Sequence, residues 1–161
     1  DHDMTPCIWA ISKHDTPCTG GADDYLKLLL DELCRKRKRS FPVRPPGGAS
    51  PLLAGWAVRL YALYQTDVFA RAASMSGSFW FEGIMEYVCS HEMKRKPDCL
   101  YFSLGDKESS TDNPILNVVQ QNTQEIETLC HGKGIETTFV LNSGSHYQAC
   151  NKRTALAFTG Y

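Results

Sequence analysis

Cys99-Leu-Tyr-Phe-Ser-Leu-Gly-Asp106 and Glu136-Thr-Thr-Phe-Val-Leu-Asn-Ser-Gly-Ser-His146 decide the fold. The first is an unbroken apolar run closed by Gly-Asp. The second is a β-branched run that ends in a Gly/Ser loop carrying a histidine. Runs of this kind suit strands covered on both faces, as in a parallel sheet. An acid and then a histidine, each on a loop at a strand's end, form the back half of the order Ser…Asp/Glu…His. The front half is a Gly-x-Ser-x-Gly turn between a strand and a helix, and the sequence contains no such turn.

Around these runs, helix and strand patterns alternate. Asp23 and Asp24 precede the leucine-spaced stretch Tyr25–Leu33, which predicts a capped amphipathic helix. A helical pattern returns from about Leu52 to Gln65. Arg71-Ala-Ala-Ser-Met75 suits a short buried strand, and Phe81–Met93 a short helix. Asn113-Pro114 predicts the start of a helix to about Cys130, with proline in the first turn and Gly132-Lys-Gly134 past its end. Tyr147–Phe158 reads as a last helix. Short connections between alternating elements argue for α/β layers around a parallel sheet. Residues 1–23 are turn-rich, and the prolines between Pro42 and Pro51 exclude a central strand there. Three clear strands are few for five helices, so strands are expected to be missing ahead of Asp1.

The bulk numbers narrow the function. The 161 residues suit a single domain, and the net charge of -1 proposes neither nucleic acid nor an anionic membrane as partner. The basic run Arg35-Lys-Arg-Lys-Arg39 follows a helical pattern, where cations complement the helix dipole. Seven cysteines at irregular spacing, with no Cys-x-x-Cys, read as reduced thiols rather than a disulfide framework or a metal site. A cytoplasmic location is expected on that ground. No apolar stretch approaches the ~20 residues needed to span a bilayer.

Four stretches carry a resemblance. They are Leu60-Tyr-Ala-Leu-Tyr-Gln-Thr-Asp67, Ala73-Ser-Met-Ser-Gly-Ser-Phe-Trp80, Phe102-Ser-Leu-Gly-Asp-Lys-Glu108 and Asn142-Ser-Gly-Ser-His146. In this order and spacing the chain resembles the esterase branch of the α/β-hydrolases that includes enterochelin (ferric siderophore) esterases and S-formylglutathione hydrolases. His2-Asp-Met-Thr-Pro6 and Thr16-Pro-Cys-Thr-Gly-Gly-Ala-Asp23 are similar to the segment after the first strands of those proteins. The resemblance implies a partial α/β-hydrolase fold over residues 1–161, N-terminally truncated, with an anomalous segment at 43–59. It implies His146 as general base, Asp106 as the acid that orients it and Glu108 as the alternative acid. Ser76, Ser78 and Trp80 would line the substrate pocket. The substrate would be a small or siderophore-like ester, with no metal and no cofactor. Sheet edges left by missing strands would favour a homodimer.

Family members carry a stretch like Gly-Tyr-Ser-Leu-Ala-Gly-Leu-Phe-Ala before the Leu60 octet. This chain has Ser50-Pro-Leu-Leu-Ala-Gly-Trp-Ala-Val-Arg59. Codons for Leu52 to Arg59, read one base out of frame, can spell Tyr-Ser-Leu-Ala-Gly-Leu-Phe-Ala. The hidden serine codon straddles Leu53 and Ala54. A second indel before Tyr61 would restore the frame, and the nucleotide sequence tests the idea. With the chain as written, Gly48-Ala-Ser50-Pro-Leu52 makes Ser50 the candidate nucleophile. Pro51 then removes the N–H that follows the nucleophile, a normal oxyanion donor. The expectation is an impaired serine esterase. The alternative is an inactive remnant that only binds a ligand or partner.

Plainer roles stand beside each candidate. Asp106 after glycine is turn chemistry. Ser74, Ser76 and Ser78 alternate as on a strand end, and Trp80 suits packing. His2, His14, His91 and His131 have no ligand spacing to one another. Cys150, four residues after His146, would share its helical face, with no recognisable base beside it in sequence.

Overall fold

The computed structural model describes residues 8–9, 18–40, 52–54, 57–148, 152 and 155. Ser50, Cys150 and most of the last expected helix lie outside the described residues, as do 43–51, 55 and 56. Contacts gather the chain into two units, Asp1–Ala49 and Ser50–Tyr161.

In the first unit, β1 (Ile8–Trp9) pairs antiparallel with β2 (Cys18–Thr19). Helix α1 follows over Ala22–Ser40, with Asp23 and Asp24 in its first turn. Acidic side chains there complement the positive end of the helix dipole. Ala22 and Leu26, four residues apart, are buried, while Leu28 faces solvent.

The second unit alternates strand and helix. Its elements are β3 (Leu52–Ala54), α2 (Ala57–Gln65), β4 (Arg71–Met75), α3 (Ile84–Ser90), β5 (Cys99–Gly105), α4 (Val119–Gly132) and β6 (Glu136–Asn142). The strands form one four-stranded sheet in the order β3-β4-β5-β6. Every pair is parallel. Parallel neighbours need crossover connections, and α2, α3 and α4 supply them. The fold is therefore α/β, a parallel sheet flanked by helices.

Register explains why β5 had to be apolar. Between β4 and β6 it is buried along its whole length. Ala73 and Tyr101 pack together with Met75 and Val140 against them. From the other face, Leu60 of α2 meets Ala72, Ser74, Leu100 and Phe102 around a small cavity. The rings of Phe79 and Phe102 pack tilted, 6.1 Å between centroids. Helix α4 buries Val119, Thr123, Ile126 and Cys130, one stripe at helical spacing.

Three sequence expectations shift. Leu52–Ala54 is a strand paired with Arg71–Ala73, not the first turn of a helix. A short apolar run is ambiguous in period, and the ladder to β4 decides it. The helix expected at Phe81–Met93 is shorter, Ile84–Ser90, entered through Gly83 at φ 78°. Asn113 caps a turn rather than the helix, accepting the Ile115 N–H at 2.9 Å. Helix α4 then starts at Val119, where Ser109 Oγ accepts the Gln120 N–H at 3.1 Å.

Candidate functional site

The loops that leave β5 and β6 are zipped together at the carboxyl end of the sheet. The Asp106 N–H donates to Asn142 O at 2.7 Å and the Lys107 N–H to Gly144 O at 3.1 Å. The Gly144 N–H donates back to Asp106 Oδ1 at 2.8 Å. This contact depends on glycine. A Cβ on Gly105 would sit 2.3 Å from Gly144 O, and Gly144 itself holds φ +117°.

The zipper brings Glu108 to His146. The turn from Gly105 closes with the Glu108 N–H on Gly105 O at 3.1 Å, folding the Glu108 side chain back under the strand end. Glu108 Oε2 then lies 2.9 Å from His146 Nδ1. The Glu108 side chain is 4% exposed and that of His146 42%. An ionised carboxylate only accepts hydrogen bonds, so a neutral His146 donates from Nδ1 and keeps its lone pair at Nε2. Buried acid and half-exposed imidazole make an oriented base that faces outward.

The carboxylate that meets His146 thus belongs to Glu108, the alternative acid of the sequence analysis. Asp106, named there as first choice, instead clamps the Gly144 backbone. Chain geometry accounts for the exchange. Asp106 leaves the strand directly and its short side chain reaches the facing loop's backbone, whereas Glu108 has the turn and one more methylene to reach the ring.

Ser76 joins the same cluster. Its Oγ donates to Glu108 Oε1 at 2.6 Å, and the Gly105 N–H donates to the same oxygen at 2.7 Å. Ser76 follows β4 directly, is buried, and sits at φ 52°, the one positive φ among the described non-glycine residues. Its hydroxyl faces a carboxylate, not an imidazole, so it is not arranged as an activated nucleophile. The family resemblance implies a pocket-lining role for Ser76, and the sequence gives no sign of this bond. The signal that could have found it is register: Met75 pairs with Ser103, which sets Ser76 beside the end of β5.

Ser78 and Trp80 lie on the following loop. Phe81 N–H closes a turn on Ser78 O at 3.2 Å, and Trp80 is half-buried with its ring 6.5 Å from that of Phe81. The loop is tied to α4 by Asn122 Nδ2, which donates to Phe79 O at 2.6 Å. Among the described residues, no three His, Cys, Asp or Glu side chains cluster as a metal would require. No described helix is long and apolar enough to cross a membrane.

Comparison with known proteins adds the fold family. No family model and no curated sequence matches the chain. Solved structures do. The enterobactin esterase of Shigella flexneri, crystallised in the presence of 2,3-dihydroxy-N-benzoyl-glycine, superposes with a TM-score of 0.61 at 18% identity, over 85% of this chain and 37% of that one. A ferulic acid esterase superposes with a TM-score of 0.58 at 15% identity, over 94% of this chain and 62% of that one. The fold is that of these α/β-hydrolase-type esterases. This chain spans between about a third and two thirds of their lengths.

Proposed function

We propose that this chain carries the acid–base half of a serine carboxylic-ester hydrolase acting on a small ester. The observation behind it is the buried Glu108 carboxylate 2.9 Å from Nδ1 of the half-exposed His146, at the tips of neighbouring parallel strands. Likeness in fold to two esterases supports the same chemistry. In that chemistry His146 Nε2 takes the proton of a serine hydroxyl as its oxygen attacks the ester carbonyl. The imidazolium then returns the proton to the departing alkoxide, leaving an acyl-enzyme. Water repeats the cycle and frees the acid. Glu108 holds the ring in the required tautomer throughout. The sequence needs no metal or organic cofactor for these steps.

The serine is the open part. It belongs to the segment 43–59, either as Ser50 or as the serine of the offset frame at Leu53 and Ala54. Ser78 and Trp80, beyond β4, are proposed to line the pocket. Hydrolysis of p-nitrophenyl acetate and butyrate by the chain and by His146→Ala tests the proposal. A turnover lost in the variant supports it. Equal rates in both overturn it and leave the binding remnant.

A further inference from the structure

We infer that Ser76 is a positioning residue for the acid: its hydroxyl, with the Gly105 N–H, pins one Glu108 oxygen so that the other is presented to His146. This rests on Glu108 and His146 acting as the acid–base pair proposed above.

A glutamate carboxylate left to itself rotates broadly about its last torsion. Here Oε1 accepts from Ser76 Oγ at 2.6 Å and from the Gly105 N–H at 2.7 Å. Two donors from two different strands, the end of β5 and the residue after β4, fix the carboxylate plane. Oε2 is then directed at Nδ1, 2.9 Å away. Donors to an ionised acceptor are the strong class of hydrogen bond, and a buried site strengthens them further.

The backbone of Ser76 points the same way. A left-handed φ of 52° is unfavourable for any residue with a Cβ. Such strain persists where the surroundings over-determine it, and it gathers at functional sites. Here the Ser76 N–H still donates to Ser103 O at 2.7 Å, extending the β4–β5 ladder by one residue. The left-handed turn then swings the side chain across the end of β5 towards Glu108. Glycine would adopt this φ at no steric cost, but it would bring no donor. Serine is the small side chain that supplies one.

The test reads the His146 ring, so it is independent of turnover. Ring-15N spectra report which nitrogen carries the proton, and the Nδ1–H resonance reports its exchange with water. Wild type is expected to hold the Nδ1–H tautomer with slow exchange. Ser76→Gly removes the hydroxyl and keeps the φ, and should speed Nδ1–H exchange by about tenfold, the order expected for one lost charge-assisted bond. Ser74→Ala, two residues back on the same strand, removes a buried hydroxyl without a protein partner among the described residues. It should leave the ring spectrum unchanged and serves as the fold control. Glu108→Gln should abolish the signature. If Glu108→Gln loses the signature and Ser76→Gly is indistinguishable from wild type, the positioning role fails while the acid–base pair stands. If Glu108→Gln also leaves the ring unchanged, the pair itself fails.

Discussion

Replacing Glu108 by glutamine separates the two candidate acids. The Glu108 carboxylate is 4% exposed and faces Nδ1 across 2.9 Å. In Glu108→Gln the amide carbonyl can still take the Ser76 and Gly105 donors, so the variant should fold with a stability loss of about 1 kcal/mol. The amide NH2 then faces His146 and donates to Nδ1. The ring proton moves to Nε2 and the lone pair that should accept the serine proton is gone. Amidation of a triad acid lowers kcat by about 10⁴-fold, equal to about 5.5 kcal/mol of transition-state stabilisation. Asp106→Asn keeps a carbonyl oxygen for the Gly144 N–H, 2.8 Å away in the parent. It should cost less than about tenfold in kcat and about 1 kcal/mol in stability. Glu108→Ala is the poorer probe, because it strands two buried donors at about 1–3 kcal/mol each. Ester hydrolysis by stopped-flow, with urea unfolding as the fold control, reads all three. A large loss in Asp106→Asn beside a near-normal Glu108→Gln would refute the assignment of Glu108 as the acid.

Three further predictions concern the loop contact at Gly105 and the cysteines. In Gly105→Ala the new Cβ meets backbone, Gly144 O at 2.3 Å, so the loops must part. Urea unfolding should show a loss of about 1–3 kcal/mol, as overpacking does, together with loss of the Nδ1–H signature. The Cys130 thiol is pushed up to about 11, first by burial and further by Glu127, with Lys133 opposing. An unfolded thiol releases its proton near its ordinary value of about 9, so the unfolded state binds fewer protons between about pH 9 and 11 and stability falls with rising pH there. Denaturation midpoints at pH 8 and pH 11, in wild type and Cys130→Ala, should show an alkaline loss smaller in the variant. Native-state alkylation at pH 8 should label exposed Cys89 and spare buried Cys99 and Cys130.

How much of this is legible in the chain depends on the range of the interaction that decides it. Strand β5 announces itself because its apolar run ends at Gly105 and burial along its whole length demands such a run, and β6 because its β-branched run ends at Asn142. Strand β3 does not, because Leu52-Leu53-Ala54 flows into a helical pattern and only its pairing with β4 makes it a strand. His146 is legible from the strand and the Gly/Ser loop before it. The choice between Asp106 and Glu108 is not, since both follow Gly105 within three residues and the closing turn decides between them. Ser76 is the extreme case. Its partner is 32 residues away, and its neighbours in sequence predict only a strand end.

The nucleophile can be argued from the sheet order. Chemistry of the order Ser…acid…His takes its acid after β5 and its histidine after β6, so its serine is expected at a strand–turn–helix ahead of both. The described strand and helix ahead of both are β3 and α2, and the proposed nucleophile falls with them. Strands stand about 4.8 Å apart, so the tip of β3 is two spacings from β5, with the residues after β4 lying between. Ser76 occupies that intervening position and donates a hydrogen bond to Glu108, so a serine on β3 would need His146 to reach over the Ser76–Gly77 turn. The offset frame makes the matching substitution explicit: Leu52→Tyr, Leu53→Ser, Ala54→Leu, Gly55→Ala, Trp56→Gly, Ala57→Leu, Val58→Phe and Arg59→Ala together. This eightfold variant should raise p-nitrophenyl ester hydrolysis by at least about 10²-fold, the scale of one restored catalytic group. The gain should vanish on adding His146→Ala. A folded eightfold variant that turns over no faster than the parent chain would remove residues 52–59 from the mechanism and return Ser50 as the remaining candidate.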